Sequence, residues 1–99
     1  MPQVALIVTI EVAPGRRDQL LPLLMAHRAR SLKDEVGITQ QFEVLVPGDA
    51  DTKALTYEVY RDEAAFEAHR NGRSMAQFRE DTAGLIVKMQ VTKCFVQAG

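Results

Sequence analysis

Val4-Ala5-Leu6-Ile7-Val8-Thr9-Ile10-Glu11-Val12, closed by Ala13-Pro14-Gly15, is the stretch on which the fold turns. Side chains along a strand point alternately to opposite faces. Val4, Leu6, Val8, Ile10 and Val12 therefore make one wholly apolar face, and Ala5, Ile7 and Thr9 make the second face largely apolar. Pro14-Gly15 breaks the strand. A strand apolar on both sides needs cover on both sides.

Working outward, residues 16–33 read as a helix with the stripe Leu20, Leu21, Leu24, Met25 and Leu32. Asp18 lies near its start and Arg28, Arg30 and Lys33 near its end, as the helix dipole prefers. Pro22 falls in an early turn, where a missing N–H costs least. Residues 39–46 alternate Phe42, Val44 and Val46 as a second strand, and 47–51 form a turn cluster. In a third strand, 53–61, Leu55, Tyr57 and Val59 share one face, and Thr56, Glu58 and Tyr60 the other. Asp62 is an expected N-cap for a helix Glu63–Arg70, ended by Asn71-Gly72. Ser74 is the expected cap of a further helix, 75–83, stopped by Gly84. The last strand, 85–96, alternates Leu85, Val87, Met89 and Val91. The order β-α-β-β-α-β is the ferredoxin-like split βαβ pattern. The fold class is α+β, with right-handed crossovers placing every helix on one face of a four-stranded antiparallel sheet. The other face stays bare. Large exposed apolar patches are unusual on monomers, so a homodimer joined through the sheet faces is expected.

The 99 residues make one domain, 1–99. Apolar residues at 46% and charged residues at 25% exclude a disordered chain. Lys plus Arg is 12 and Asp plus Glu is 13, for a net charge of −1. That balance carries no footprint for nucleic acid or an anionic membrane, so neither is an expected partner. No run approaches the roughly 20 apolar residues of a membrane span. The opening residues lack the basic segment of a secretory leader, and the expected location is cytoplasmic. The single cysteine, Cys94, permits no internal disulfide, and late in an apolar strand it reads as a buried small hydrophobe.

Glycine-rich phosphate loops, metal-ligand spacings and a nucleophile elbow are all missing from the chain. No metal or cofactor is expected. The informative segment is LTYEVYRDEAAFEAHRNGRSMAQFRE, residues 55–80. Glu58 shares a strand face with Thr56 and Tyr60, and His69 falls on the apolar side of the following helix, three residues after Phe66. A carboxylate on the strand and an imidazole on the helix can meet over the sheet. The carboxylate would then orient the ring to take a proton from a phenolic or enolic hydroxyl. The same residues also suit a structural corner in which His69 bonds the last-turn carbonyls. Phe42, Tyr60, Phe66, Met75 and Phe78 fit the lining of a substrate cavity, and equally a plain core. The run His27, Arg28, Arg30, Lys33 fits a solvated helix end or a phosphate contact.

Glu58-Val59-Tyr60-Arg61-Asp62-Glu63-Ala64-Ala65-Phe66-Glu67-Ala68-His69 resembles the E-x-Y-x-D-x-x-A-x-x-x-H motif of the antibiotic biosynthesis monooxygenase family. It is most similar to the small stand-alone bacterial members regarded as quinol monooxygenases. FEVLVP at 42–47 and the D-E-x-G pattern at 34–37 resemble the same family's second strand and the turn before it. The resemblance spans nearly the whole chain. It implies a dimeric α+β barrel of ferredoxin-like protomers, each with a cavity between sheet and helices. It also implies cofactor-independent oxygenation of electron-rich aromatics, with molecular oxygen as co-substrate and Glu58 and His69 as catalytic residues. A related branch isomerises a phosphorylated signalling sugar, and a third alternative is a ligand-binding, stress-related dimer without catalysis. The haem-degrading branch uses a tryptophan, and this chain has none. The polyketide oxygenases use an Asn and a Trp, whereas the one Asn here, Asn71, sits in a loop. Val36 stands where the family often has proline.

Overall fold

The computed structural model describes residues 2–97. Its elements are β1 Val4–Val12, α1 Arg17–Asp34, β2 Thr39–Leu45, β3 Lys53–Tyr60, α2 Glu63–Arg70, α3 Arg73–Asp81 and β4 Ile86–Phe95. The strands form one antiparallel sheet in the order β2-β3-β1-β4. This is the ferredoxin-like α+β arrangement, with β1 in the interior as its two apolar faces require.

The inward row of β1 is the centre of the core. Val4, Leu6, Val8, Ile10 and Val12 are all buried, with Leu20 and Leu24 of α1 in the same cluster. Register carries the row sideways: Leu6 lies opposite Glu58, Val8 opposite Thr56 and Ile10 opposite Ala54. Phe42 of β2 lies opposite Glu58 on the other side. One strand face thus collects Phe42, Glu58 and Leu6 in a line beneath the helices.

Local expectations are corrected in α1, α3 and β4. The buried stripe of α1 is Leu20, Leu24, His27 and Ser31, while Met25 is exposed. The helix is rotated so that its polar turn, rather than Met25 and Leu32, faces the sheet, which brings His27 inside. Pro22 lies in an early turn of α1 as expected, five residues after its start, and the helix continues through it. Ser74 is not a cap: α3 begins at Arg73 behind an N-cap Gly72, and the Ser74 side chain is buried. In β4 the register slips between Glu11 and Val12, with Glu11 opposite Lys88 and Val12 opposite Ile86. Val87 is left unpaired by this bulge and stands exposed, so the expected Leu85-Val87-Met89 row is interrupted.

Asp62 caps α2 as expected, its carboxylate accepting from the Ala65 N–H at 2.8 Å. That bond holds the Asp62 carboxyl below its ordinary range. The helices cover β2, β3 and β1 but leave most of β4 open. Met89, Val91 and Phe95 are exposed on the helix side. Cys94, opposite Ala5 on the other face, is half-buried rather than buried, because β4 is an edge strand. On that open face Ile7 is exposed and Leu55 and Tyr57 are half-buried.

Gly37, at φ 79°, turns the chain from α1 into β2. A Cβ there would meet nothing nearer than the Arg61 guanidinium at 3.8 Å, so the cost of adding one is conformational rather than steric. Gly37→Ala is expected to lower unfolding free energy by about 1–2 kcal/mol in urea titration. Gly48→Ala, at ordinary φ in open space, should change it by less than about 0.5 kcal/mol.

Candidate active site

Between the sheet and the helices lies a cavity of about 400 Å³, a size suited to one small aromatic ligand. Its floor comes from Leu6, Val8 and Ile10 of β1, Phe42 of β2, and Thr56 and Glu58 of β3. Its roof comes from Leu24 and His27 of α1, Phe66 and His69 of α2, and Met75 and Phe78 of α3. It opens past Met89 and Val91 of β4, with Arg70 and Arg79 also lining it. Four of the five expected lining residues, Phe42, Phe66, Met75 and Phe78, are there. Tyr60 is not: it is fully buried behind the wall, its ring 4.8 Å from that of His69 and 5.6 Å from that of Phe66.

Glu58 is buried at 6% exposure, and two neighbours on its own strand face hydrogen-bond it. The Thr56 hydroxyl donates to Oε2 and the Tyr60 phenol to Oε1. Residues two apart on a strand share a face, which makes this ladder possible. Burial, together with the Glu58 carboxylate, holds the Tyr60 phenol far above its ordinary value, so it remains a donor.

His69 is held from its other side. Its Nδ1 lies 2.7 Å from Oε1 of Glu35, whereas its Nε2 is 3.9 Å from Oε1 of Glu58. An ionised carboxylate only accepts, so Nδ1 carries the proton and Nε2 turns its lone pair to the cavity. The partner that orients the ring is therefore Glu35, not Glu58. Thr39 Oγ1 donates to the same Glu35 oxygen at 2.8 Å. Glu35 also borders a polar depression with Arg30, Arg73 and Ser74. Gly72 lets it sit there: a Cβ at that position would come 3.0 Å from the Ala68 carbonyl and 3.2 Å from Glu35 Oε2.

His27 is the second imidazole of the cavity. Its ring centre is 5.2 Å from that of His69, and it stacks on Phe78 at 4.9 Å and 19°. Its Nδ1 is 2.7 Å from the Ser74 hydroxyl. Desolvation, reinforced by His69 when that ring is protonated and by Arg30, pushes its pKa down to about 3, so the ring is neutral near pH 7. Two arginines of the basic run are engaged: Arg28 donates to the Phe42 carbonyl at 2.7 Å and Arg30 to Ser74 Oγ at 3.1 Å.

The sequence offers Ser74 as a helix cap, His27 as part of a basic run and Glu35 as part of the D-E-x-G pattern, and none of the three as a cavity residue. Helical spacing from Leu20 through Leu24 was a usable signal for His27. Nothing local pointed to Glu35, which lies 34 residues from its partner. Among the described residues, no group of three or more His, Cys, Asp or Glu side chains is arranged to hold a metal ion. No described helix is long and apolar enough to cross a membrane.

A family model described as antibiotic biosynthesis monooxygenase matches residues 3–81. No curated protein sequence matches the chain. A Pseudomonas aeruginosa protein of known structure is 26% identical, with a TM-score of 0.88 over 99% of this chain and 97% of that one. A Caulobacter crescentus structure, provisionally assigned to the antibiotic biosynthesis monooxygenases, superposes with a TM-score of 0.90. Its identity is 10%, over 98% of this chain and 92% of that one. A Nitrosomonas europaea structure with the same provisional assignment has 17% identity and a TM-score of 0.83, over 92% of this chain and 95% of that one. At such identities these two show a shared fold.

The depressed His27 pKa has a thermodynamic consequence. The unfolded chain binds more protons at this residue between about 3 and 6.5, so its contribution to stability rises with pH across that window. Acidification from pH 7 to about pH 4.5 should therefore destabilise the protein, and His27→Gln should remove about 2 kcal/mol of that loss. Urea titrations of both proteins at the two pH values measure the difference. Equal losses would show that His27 titrates normally in the fold.

Proposed function

The chain belongs to the antibiotic biosynthesis monooxygenase family, and on that premise we propose that it is a cofactor-independent monooxygenase of quinol-like, electron-rich aromatics. The observation that carries this reading is His69, backed by Glu35 and turned with a free Nε2 toward an apolar, aromatic-lined cavity. A hydroxyl seated there loses its proton to Nε2. The O–H bond breaks, the electron pair stays on the substrate oxygen, and the ring becomes electron-rich. The anion then passes one electron to molecular oxygen in the cavity. The superoxide and the substrate radical couple at a ring carbon bearing hydrogen. The peroxide anion so formed takes the proton back from the His69 imidazolium, and its O–O bond and the adjacent C–H bond then break to release water and leave a carbonyl. One oxygen atom enters the product and the other leaves as water, with both reducing electrons drawn from the substrate. The chain's contribution is proton acceptance, positioning and exclusion of bulk water. Glu58, hydrogen-bonded by Thr56 and Tyr60, places its carboxyl group 3.9 Å from Nε2, facing the imidazolium as it forms.

The phosphorylated-sugar alternative needs a free cation for the phosphate. Arg28 and Arg30 already donate to Phe42 and Ser74, and Arg73 borders the polar depression beside Glu35 rather than the cavity. Arg70 and Arg79 do line the cavity, so the aromatic reading is favoured by the apolar and aromatic remainder of the lining and not by a lack of cations.

The bare sheet face calls for a second copy, since Ile7, Leu55 and Tyr57 line it. A homodimer burying about 1,600 Å² or more in total is expected. Sedimentation at micromolar concentration checks this, and a folded monomer there would contradict it.

His69→Ala should lower oxygen uptake on an oxidisable quinol by about 10²–10⁴-fold. Glu35→Gln should lower it by more than about tenfold through loss of ring orientation. Melting temperature measured on the same samples separates these effects from unfolding. Wild-type rates in a folded His69→Ala variant would overturn the mechanism.

A further inference from the structure

Resting on the reading of the cavity as a site for phenols and quinols, the geometry points to His27 as the hydrogen-bond donor, through Nε2–H, that holds the oxyanion left when His69 takes the substrate's proton. The inference starts from Ser74. Its hydroxyl oxygen accepts from Arg30 Nε at 3.1 Å, and a guanidinium can only donate. The single hydroxyl proton then has two acceptors, His27 Nδ1 at 2.7 Å and the His27 carbonyl at 3.4 Å. The carbonyl lies beyond ordinary O–H···O range, so if Nδ1 donated instead, the buried Ser74 hydroxyl would keep its proton without a partner; the proton therefore goes to Nδ1. Nδ1 is the acceptor, and the ring's own proton sits on Nε2.

That Nε2 has no protein partner among the described residues. Ser31 Oγ is the only sealed side-chain polar atom there that lacks one, so the His27 Nε2 opens onto the cavity that the ring lines. Stacking on Phe78 and an edge contact with Phe42 at 5.4 Å fix the ring plane. Burial keeps the ring neutral, with Arg30 of its own helix, and His69 of α2 once protonated, adding to the effect. With its lone pair taken by Ser74 and its protonated form disfavoured by burial, the ring does not compete with His69 as a base.

The two imidazoles are thus opposites 5.2 Å apart. His69 donates a hydrogen bond from Nδ1–H to a carboxylate and presents a lone pair at Nε2. His27 accepts a hydrogen bond at Nδ1 from a hydroxyl and presents an N–H at Nε2. In the transfer the substrate O–H breaks, His69 Nε2–H forms, and the electron pair remains on the oxygen that His27 holds. An oxyanion without a donor is costly in an apolar site, and a preorganised donor aimed at developing charge removes that cost.

Two measurements test the assignment. Nitrogen-15 NMR of the histidine rings at neutral pH should show His27 as the neutral Nε2–H tautomer, identified by its loss in His27→Phe. An Nδ1–H tautomer or an imidazolium would overturn it. The second probe is 4-nitrophenol, whose absorbance reports ionisation. His27→Phe should weaken binding of the phenolate about 10- to 100-fold while changing 4-nitroanisole binding by less than about threefold. Equal phenolate affinity, or no phenolate binding by the wild type, overturns the proposal. Should His27→Phe fail to fold, Ser74→Ala keeps the ring and frees Nδ1. It should yield mixed tautomers and weaker phenolate binding, and an unchanged tautomer would overturn the role given to Ser74. Phenolate binding that depends on His27, without oxygen uptake on any quinol, supports the oxyanion site and sinks the oxygenase reading.

Discussion

A carboxylate buried in an apolar layer must be hydrogen-bonded by its neighbours, and Glu58 is such a group. Period-two geometry places Thr56 and Tyr60 on its strand face, and each hydroxyl donates to one of its oxygens. His69 meets Glu58 only at 3.9 Å and is bonded by Glu35 at 2.7 Å. The division of labour in the cavity follows from this. One carboxyl group is fixed in the floor, and the other sets the tautomer of the imidazole above it.

The cavity owes its opening to the span of the helices. The three helices reach across β2, β3 and β1, and β4 remains largely uncovered with Met89 and Val91 at the mouth. Lys93 of β4 pairs with Glu63 of α2 and lies over the Phe66 ring at 5.3 Å, tying that helix to the edge strand. Apart from Thr56, Glu58, Arg70, Arg79 and the two histidines, the lining is aliphatic and aromatic. Such a site strengthens the few polar interactions it contains, because little water competes for them. The two histidines, stacked among Phe42, Phe78 and Tyr60, are the groups on which that strengthening acts.

Much of this architecture can be read along the chain. The double alternation of Val4–Val12 demands an interior strand, and β1 is one. Asp62 announces the start of α2 and caps it. Strand parity and helical spacing put Glu58 and His69 on the same side of the sheet, where both are buried. The errors have particular causes. Met25 suited the α1 stripe by hydrophobicity, but the helix turns His27 and Ser31 inward because those side chains meet α3 and the sheet rather than water. Val87 suited an alternating row, but a bulge opposite Val12 resets the register.

Local periodicity states where a side chain points relative to its own element, since that direction follows from backbone geometry repeated every 2 or 3.6 residues. Element order, the buried row of β1 and the shared face of Thr56, Glu58 and Tyr60 belong to that class. Hydrogen-bond partners do not. Glu35 meets His69 across 34 residues, and Ser74 meets His27 across 47. Those pairings depend on how α1, α2 and α3 pack over the sheet, because a hydrogen bond needs about 3 Å between specific atoms. No spacing within one element specifies such a distance. The oriented His69 ring, the neutral second imidazole and the cavity between them exist only where the packed helices bring these side chains together.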